Sequence, residues 1–344
     1  MRVLLVKLSS LGDVVHTFPA LTDAASALPG IEIDWVVDEA FAPLARLHPA
    51  IRRVIPLPIR RMKKTPRAAL GDLRLAMHQL RAVRYDLIVD AQGLVKSAIV
   101  GRLARGGRRH GFSRDTAREG MAALTYDVGH ALPEVEHMAT RIRRLFAAML
   151  GYPMPETPAD SGLDRSAIAA RSTTRPYIVL IHGTTWPTKT WTVEGWRALA
   201  REAGEAGLDA LVFAHGEQER ARVEAIAEGI PAVRRLPPGR LEAVIPVIAG
   251  AEGVVTVDTG LGHLAAAFDL PTIGLYGPTN PGLTGLVGAR AREFTGRLPC
   301  VPCEKSSCAI RPDFGEGPPC LADHAPDEVW RALQALSPFS AGRA

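Results

Sequence analysis

Cysteine is scarce in this 344-residue chain, and the four that occur all follow residue 299. So late and small a group is not the disulfide framework of a secreted protein. No stretch approaches the roughly 20 uninterrupted apolar residues of a membrane span, and the opening run, charged at Arg2 and Lys7, is too short for a signal peptide. Hydrophobic residues nevertheless make up 47% of the chain, which excludes wholesale disorder. We therefore expect a cytoplasmic protein of about two domains.

Acidic side chains are also scarce over part of the first half. Residues 1–175 carry 26 Lys/Arg against 17 Asp/Glu, whereas the remainder carries 15 against 19. The excess is greatest over residues 51–118, with 17 basic and 4 acidic side chains. Such a surface attracts a polyanion or an anionic membrane face. Because that stretch has only Tyr85 and Phe112 as aromatic residues, it lacks stacking platforms, and we expect no nucleic-acid partner.

Short apolar runs alternate with helical patterns, which predicts parallel strands joined by crossover helices. The strand-like runs of the first half are Arg2–Val6, Ile31–Val37, Val54–Leu57 and Leu87–Val89. Residues 151–175 are rich in proline and small polar residues and resemble a linker. The pattern then restarts with Tyr177–Ile181, Ala210–Ala214, Val254–Val257 and Thr272–Tyr276. We predict an α/β protein of two Rossmann-like, doubly wound domains, 1–160 and 161–325, facing a cleft, with a last helix within 326–344.

The loop after Val254–Val257 has the character of a phosphate site. Residues 258–265 read Asp-Thr-Gly-Leu-Gly-His-Leu-Ala and open a helix, whose free N–H groups and positive end favour an anion. The run also fits the G-x-G-x-x-A dinucleotide fingerprint. It lies late in the chain, however, and no acid occurs between Asp269 and Glu293, which argues against a nicotinamide-dependent oxidoreductase. A tight turn that simply needs glycine is the structural alternative.

A second loop, residues 182–191, follows the strand Tyr177–Ile181 and offers hydroxyls and Lys189. Backbone N–H groups with a lysine beside them suit a diphosphate, although a solvated surface lysine stays open for Lys189. Two such loops in one half predict a nucleoside diphosphate there. Glu217, just after Ala210–Ala214, stands where an acid would accept bonds from ribose hydroxyls.

The first loop of the chain presents a carboxylate where a helix starts. Asp13 follows Gly12, and Ser9 and Ser10 would line the same turn. One role for Asp13 is to cap the helix, worth roughly 1 kcal/mol. The other is a general base facing the cleft, within hydrogen-bond reach of the hydroxyl it deprotonates. Gln92, at the end of another strand, is expected at the same edge of the sheet.

Several segments together resemble one family: Val6–Thr17, Asp90–Ser97, Thr116–Glu119, Val257–Ala267 and Tyr276–Thr279. They are similar to the lipopolysaccharide heptosyltransferases of glycosyltransferase family nine, most of all the type I enzymes, over roughly residues 1–290 in collinear order. The resemblance implies a GT-B fold, with the acceptor on the first domain and the sugar nucleotide on the second. It also implies a last helix that crosses back to the first domain.

The resemblance further implies a reaction: inverting transfer of L-glycero-D-manno-heptose from ADP-heptose to the first Kdo of Kdo2-lipid A. The enzyme would need no metal or other cofactor and would lie peripherally on the anionic cytoplasmic face of the inner membrane. Asp13 would be the catalytic base. Donor binding would fall to Thr184, Thr185, Lys189, Glu217, Asp258, Thr259, Gly260 and His263. Acceptor binding would fall to Arg60, Arg61, Lys64 and Arg118, with the turn of Ser9, Ser10 and Gly12.

One segment departs from that resemblance. Its cysteines are spaced C-x2-C-x4-C-x11-C, at Cys300, Cys303, Cys308 and Cys320. This is not one of the common zinc spacings, so a tetrahedral metal site, disulfides and reduced thiols all stay open, none of them catalytic. Heptosyltransferase II types, which add the second heptose, carry a similar cluster and are the alternative within the family.

Overall fold

Parallel β-sheets organise both halves of the chain in the computed structural model, which describes residues 1–133, 135–169, 175–315 and 317–336. The chain divides into two units, Met1–Leu163 and Asp164–Ala344. Over the described residues, the strands form one six-stranded sheet in each unit. The prediction of an α/β protein with two doubly wound sheets is confirmed.

The first unit alternates strands and helices. Its strands are β1 (Arg2–Val6), β2 (Glu32–Asp38), β3 (Ile51–Leu57), β4 (Arg84–Asp90), β5 (Arg105–Phe112) and β6 (Val128–His130). Its α-helices over the described residues are α1 (Leu11–Val15), α2 (Phe18–Ala27), α3 (Ala42–Ala45), α4 (Ile59–Lys64), α5 (Pro66–Arg81), α6 (Val95–Leu103) and α7 (Met138–Leu150). The strand order across the sheet is β3-β2-β1-β4-β5-β6, with every pair parallel.

The second unit repeats the plan. Its strands are β7 (Tyr177–Ile181), β8 (Asp209–Phe213), β9 (Val233–Leu236), β10 (Gly253–Val257), β11 (Thr272–Tyr276) and β12 (Ala291–Thr295). Its α-helices over the described residues are α8 (Val193–Glu205), α9 (Glu217–Ala227), α10 (Leu241–Ala249), α11 (Gly260–Ala267), α12 (Pro281–Thr284), α13 (Pro319–Ala322) and α14 (Pro326–Leu336). The order β12-β11-β10-β7-β8-β9 is parallel throughout.

Burial explains why the central strands are short and apolar. Strands β7, β10 and β11 are buried at every residue, as expected where helices cover both faces of a parallel sheet. Full burial of each such aliphatic side chain stabilises the fold by roughly 1.5–3 kcal/mol. In both sheets the order reverses beside the first strand, between β1 and β4 and between β7 and β10. Loops at such switch points form the ligand crevice of this fold.

The last described helix, α14, packs on its own unit. Val329, Trp330 and Leu333 are buried in the core of the second unit, against α8 and the strands β10 and β11. The expectation that the last helix crosses back to the first domain stays a prediction. Residues 337–344, the rest of the predicted segment, lie outside the described residues.

None of the helices over the described residues combines the length and the apolar character that crossing a bilayer requires.

Candidate functional site

The loops that follow β1 and β4 form one structure at the switch point of the first sheet. The amide oxygen of Gln92 accepts the N–H groups of Leu8 and Ser9 at 3.0 and 3.1 Å. Lys7 Nζ donates to the carbonyl of Ala91 at 2.9 Å. Each loop therefore fixes the other, and together they hold the turn that carries Asp13.

Asp13 has two kinds of partner. Its Oδ2 accepts the N–H of Ser10 at 2.7 Å and the Ser10 hydroxyl at 3.0 Å, so the carboxylate does cap α1, from the third helical position. Its Oδ1 lies 3.6 Å from Lys7 Nζ. The structural role weighed for Asp13 is thus present, and a charged partner is present beside it.

Electrostatics keeps the Asp13 carboxylate ionised. Burial works against its charge, but the Lys7 ammonium and the bonds from Ser10 outweigh burial, so the pKa of Asp13 lies below its usual range. Burial lowers the pKa of Lys7, and the carboxylates of Asp13 and Asp90 oppose that shift. An ionised carboxylate at a switch point can accept a proton. Sequence reasoning missed Lys7, and the available signal was a lysine closing a strand of buried residues.

Asp90 supports this arrangement from below the loop. Its Oδ1 accepts the N–H groups of Gln92 and Gly93 at 2.8 and 3.2 Å. Its Oδ2 accepts the hydroxyls of Ser97 and Tyr126 at 2.8 and 2.7 Å. With all these partners in a buried position, Asp90 positions the Gln92 loop.

The predicted basic residues fall into two places. Arg118 lies near enough to Lys7 for its charge to lower the pKa of that ammonium, so the structure brings Arg118 to the Asp13 turn. The others lie on α4. There Arg61 is bound by Glu39 at 2.6 and 2.7 Å and by Asp72 at 2.6 Å. The Arg60 guanidinium lies 4.7 Å from the centroid of the Phe41 ring, and Lys64 is exposed.

Asp258 is the centre of a second cluster, at the end of β10. Its Oδ2 accepts Lys189 Nζ and the Thr279 hydroxyl, both at 2.7 Å. Its Oδ1 lies 3.5 Å from Nε2 of His263. The Thr184 hydroxyl donates to the Asp258 carbonyl at 3.4 Å, which joins the loops after β7 and β10. The structure thus brings together four predicted donor residues and adds Thr279.

This cluster also has a defined charge state. Burial opposes ionisation of Asp258, but bonding to His263 and the Lys189 ammonium outweigh it and hold the pKa of Asp258 well below its usual range. The Lys189 ammonium lies 4.7 Å from the centroid of the Trp186 ring. Because an ammonium has three N–H donors, the bond to Asp258 leaves others for phosphate oxygens.

The N-terminus of α11 faces the same loop. Thr259 is the extended residue before the helix, and Gly260 is its first residue. The first N–H groups of a helix, here those of Thr259 and Gly260, have no partner within the helix and favour an anion. Position 262 needs glycine for a different reason: a Cβ there would collide with the side chain of Thr256 on β10. The second glycine of the fingerprint therefore serves close packing of helix on strand.

Two predicted residues lie further out. Thr185 is exposed in the loop after β7, and Glu217 is the exposed first residue of α9. The carboxylate that lies against Gly183 of that loop belongs to Glu219, which also accepts the N–H of His215 at 2.6 Å. Sequence reasoning missed Glu219. Its spacing of two residues from Glu217 near the start of α9 was the only signal.

All four cysteines are free thiols. They line one cavity of about 100 Å³ together with Thr188, whose hydroxyl donates to the Lys305 carbonyl at 2.8 Å. Burial raises the pKa of the Cys320 thiol to about 11. Among the described residues, no three His, Cys, Asp or Glu side chains are gathered so as to hold a metal ion.

Comparisons with known proteins agree on one family. Residues 73–312 match the family model described as glycosyltransferase family 9 (heptosyltransferase). The chain is 44% identical to lipopolysaccharide heptosyltransferase 1 of Pseudomonas aeruginosa, over 98% of both chains. It matches Escherichia coli heptosyltransferase WaaC with ADP at a TM-score of 0.80, with 44% identity over 85% of this chain and 92% of that one.

A second structure of the Escherichia coli protein, with ADP-2-deoxy-2-fluoro heptose, matches at a TM-score of 0.77 and 42% identity, over 86% of this chain and 93% of that one. By contrast, lipopolysaccharide heptosyltransferase 2 of Salmonella typhimurium is 26% identical, over 85% of this chain and 87% of its own.

Proposed function

This chain belongs to glycosyltransferase family 9, the heptosyltransferases, and on that basis we propose that it transfers L-glycero-D-manno-heptose from ADP-heptose to the first Kdo of Kdo2-lipid A. The observation that carries the proposal is the near-complete match to a type 1 relative, far above the identity to type 2. That contrast favours the first heptose over the second, despite the cysteine cluster. Family membership also sets aside the oxidoreductase alternative.

The second unit binds the donor in this proposal. Lys189 and the free N–H groups at Thr259 and Gly260 hold the diphosphate, with Thr184 and Thr185 in the adjoining loop. Asp258 and His263 face the heptose, and Asp258 keeps the ammonium of Lys189 in place. Glu217 accepts bonds from the ribose hydroxyls.

The first unit holds the acceptor beside Asp13. Asp13 takes the proton from the attacking Kdo hydroxyl as its oxygen bonds to the anomeric carbon. Attack comes from the face opposite ADP, so the configuration inverts as the bond between that carbon and the phosphate oxygen breaks. The charge that develops on the leaving diphosphate is stabilised by Lys189 and the N–H groups of α11. Ser9, Ser10 and Gly12 shape the turn, while Arg60, Lys64 and Arg118 attract the anionic acceptor.

The acceptor also implies a place of action. Kdo2-lipid A is anionic and anchored by acyl chains, so the enzyme works peripherally on the cytoplasmic face of the inner membrane. The basic excess over residues 51–118 supports this location, because cations near an anionic leaflet each contribute about 1 kcal/mol.

ADP release from ADP-heptose, measured with two acceptors, tests the proposal. Release that depends on Kdo2-lipid A supports it. Release only with an acceptor that already carries the first heptose assigns the second transfer instead. No release with either acceptor overturns the proposed reaction.

Removing the Lys7 charge is expected to move the pH dependence of turnover. Lys7 lowers the pKa of Asp13, so in Lys7→Met that pKa rises and a smaller fraction of the base is ionised at low pH. The acid limb of kcat/KM should therefore move to higher pH. Lys7→Arg keeps the charge and serves as the control. A pH–rate profile whose acid limb stays in place in Lys7→Met would show that Asp13 is not the titrating base.

Neutralising the cations of α4 one set at a time distinguishes residues that bind the acceptor from a residue that stabilises the local structure. Arg60→Gln with Lys64→Gln should raise the acceptor KM about three- to tenfold and leave the donor KM unchanged, because each exposed contact is worth up to about 1 kcal/mol. Arg61→Gln should instead lower the melting temperature, since Arg61 joins Glu39 and Asp72. Steady-state kinetics with each substrate varied checks the KM values, and thermal unfolding checks the melting temperature, with Arg74→Gln on α5 as the matched control. An unchanged acceptor KM would remove α4 from the acceptor site.

A further inference from the structure

An exposed apolar surface lies on the first unit, where α6 packs against the 3-10 helix Gly120–Thr125. We call it the α6 face; its side chains are Val95, Ile99, Leu103, Met121 and Leu124. The three on α6 recur every fourth residue and therefore lie along one side of the helix. Ile99 is 51% exposed, Met121 67% and Leu124 72%. Single exposed apolar side chains are ordinary, but five on two packed elements mark an interaction surface.

The α6 face adjoins the Asp13 turn through a short chain of bonds. The Val95 N–H donates to the Glu119 carboxylate at 2.7 Å, and the Glu119 N–H donates to the Gly93 carbonyl at 2.9 Å. Gly93 follows Gln92, whose side chain holds the turn. Arg118, whose charge lowers the pKa of Lys7, comes just before Glu119. An acceptor bound at the Asp13 turn would therefore lie next to the α6 face.

Charge identifies what covers this surface. Residues 94–125 contain seven Lys/Arg and two Asp/Glu, and one of those acids, Glu119, is bound to the N–H of Val95. Lys96, Arg102 and Arg114 are exposed. Apolar side chains bordered by cations match the boundary of an anionic bilayer, where the former enter the acyl region and the latter meet the headgroups.

We infer that the α6 face docks on the surface of an anionic lipid bilayer and so presents the Asp13 turn to an acceptor anchored in that bilayer. The second half of this inference rests on the proposed function. The docking itself depends only on the surface.

Vesicle sedimentation with the full chain tests the docking. The probe is phosphatidylcholine vesicles with and without 30% phosphatidylglycerol, and the variant is Ile99→Ser, Met121→Ser, Leu124→Ser combined. Wild type should bind the anionic vesicles, and the variant should bind them at least tenfold more weakly. Lys96→Gln with Arg102→Gln should also weaken binding and reduce its dependence on salt. Leu70→Ser with Leu75→Ser, exposed apolar residues of α5, is the matched control and should bind as wild type does.

Activity distinguishes failure of this inference from failure of the proposed function. The triple variant should keep wild-type ADP release with a deacylated, water-soluble acceptor and lose it with vesicle-embedded Kdo2-lipid A. Equal vesicle binding by wild type and triple variant overturns the docking. The docking is also overturned if wild type binds no vesicles but self-associates in solution and the triple variant does not, because the α6 face would then contact a second copy of the chain. If wild type binds vesicles but releases ADP with neither acceptor, the docking stands and the proposed reaction fails.

Discussion

Asp13→Asn should lower kcat by about 10³-fold while leaving the Kd of ADP within twofold of wild type. The amide keeps an oxygen that can accept the bonds from Ser10, so the turn survives, but it cannot take a proton from the acceptor hydroxyl. A positioned general base contributes typically 10²- to 10⁴-fold. The Lys7 ammonium also loses the carboxylate 3.6 Å away. Single-turnover ADP release and calorimetric ADP titration measure the two effects separately.

A matched control exists elsewhere in the chain. The carboxylate of Asp164 accepts the N–H and the hydroxyl of Ser166, at 2.9 and 2.7 Å, much as Asp13 does with Ser10. Asp164→Asn should leave kcat unchanged, because there the same local bonds serve only a short helix. If Asp13→Asn lowers kcat less than tenfold, or weakens ADP binding in parallel, Asp13 is a capping residue and not the base.

The central strands were predictable because a strand buried on both faces consists mostly of apolar residues. Tyr177–Ile181 and Thr272–Tyr276 have the predicted bounds, and Arg2–Val6 does too. Each is a short apolar run ended by a polar or glycine-containing loop, which a buried parallel strand requires. The helical pattern from Val14 to about Leu28 predicts a single helix there. The structure has two, α1 and α2, and Pro19 lies in the first turn of α2, where its missing N–H costs no helical bond.

Strand β5 could not be predicted from its residues. Its sequence, Arg-Gly-Gly-Arg-Arg-His-Gly-Phe, has neither alternation nor β-branched residues. The structure supplies the reason: a Cβ at Gly106 or Gly107 would collide with the backbone of β4 at Tyr85 or Asp86. The backbones of β4 and β5 approach closely there, so β5 needs residues without a Cβ. That requirement comes from the neighbouring strand and cannot be read from the sequence of β5 alone.

In the candidate site too, some features follow from the local sequence and others depend on residues far along the chain. The loops and their charged residues were predictable, because they follow buried strands that end at one edge of a sheet. Their partners were not, because Gln92 reaches Leu8, and Lys189 reaches Asp258, across 84 and 69 residues of sequence. The carboxylate partners of Arg61 were not predictable either: Glu39 and Asp72 bind this cation, and its predicted role at the acceptor stays a prediction.

Lys189→Met should raise the Kd of ADP about 10- to 100-fold. A charged hydrogen bond is worth roughly 1.5–3 kcal/mol. The Lys189 ammonium lies 2.7 Å from the Asp258 carboxylate, and its other N–H groups can bind phosphate oxygens. Loss of that charge also leaves Asp258 with Thr279 and His263 as its remaining partners. The melting temperature should therefore fall, because a carboxylate only 8% exposed loses its counter-charge.

Nucleotide chemistry separates the binding loss from the stability loss. Lys189 acts on phosphate oxygens, so the variant should lose more affinity for ADP than for AMP, whereas a loosened fold would weaken both alike. Lys63→Met, which removes an exposed lysine of the first unit, should change neither affinity. Calorimetric titration of the two nucleotides at a temperature well below unfolding decides the matter. An ADP affinity equal to wild type would mean that Lys189 serves only to neutralise Asp258, and the diphosphate would then depend on the N–H groups at Thr259 and Gly260.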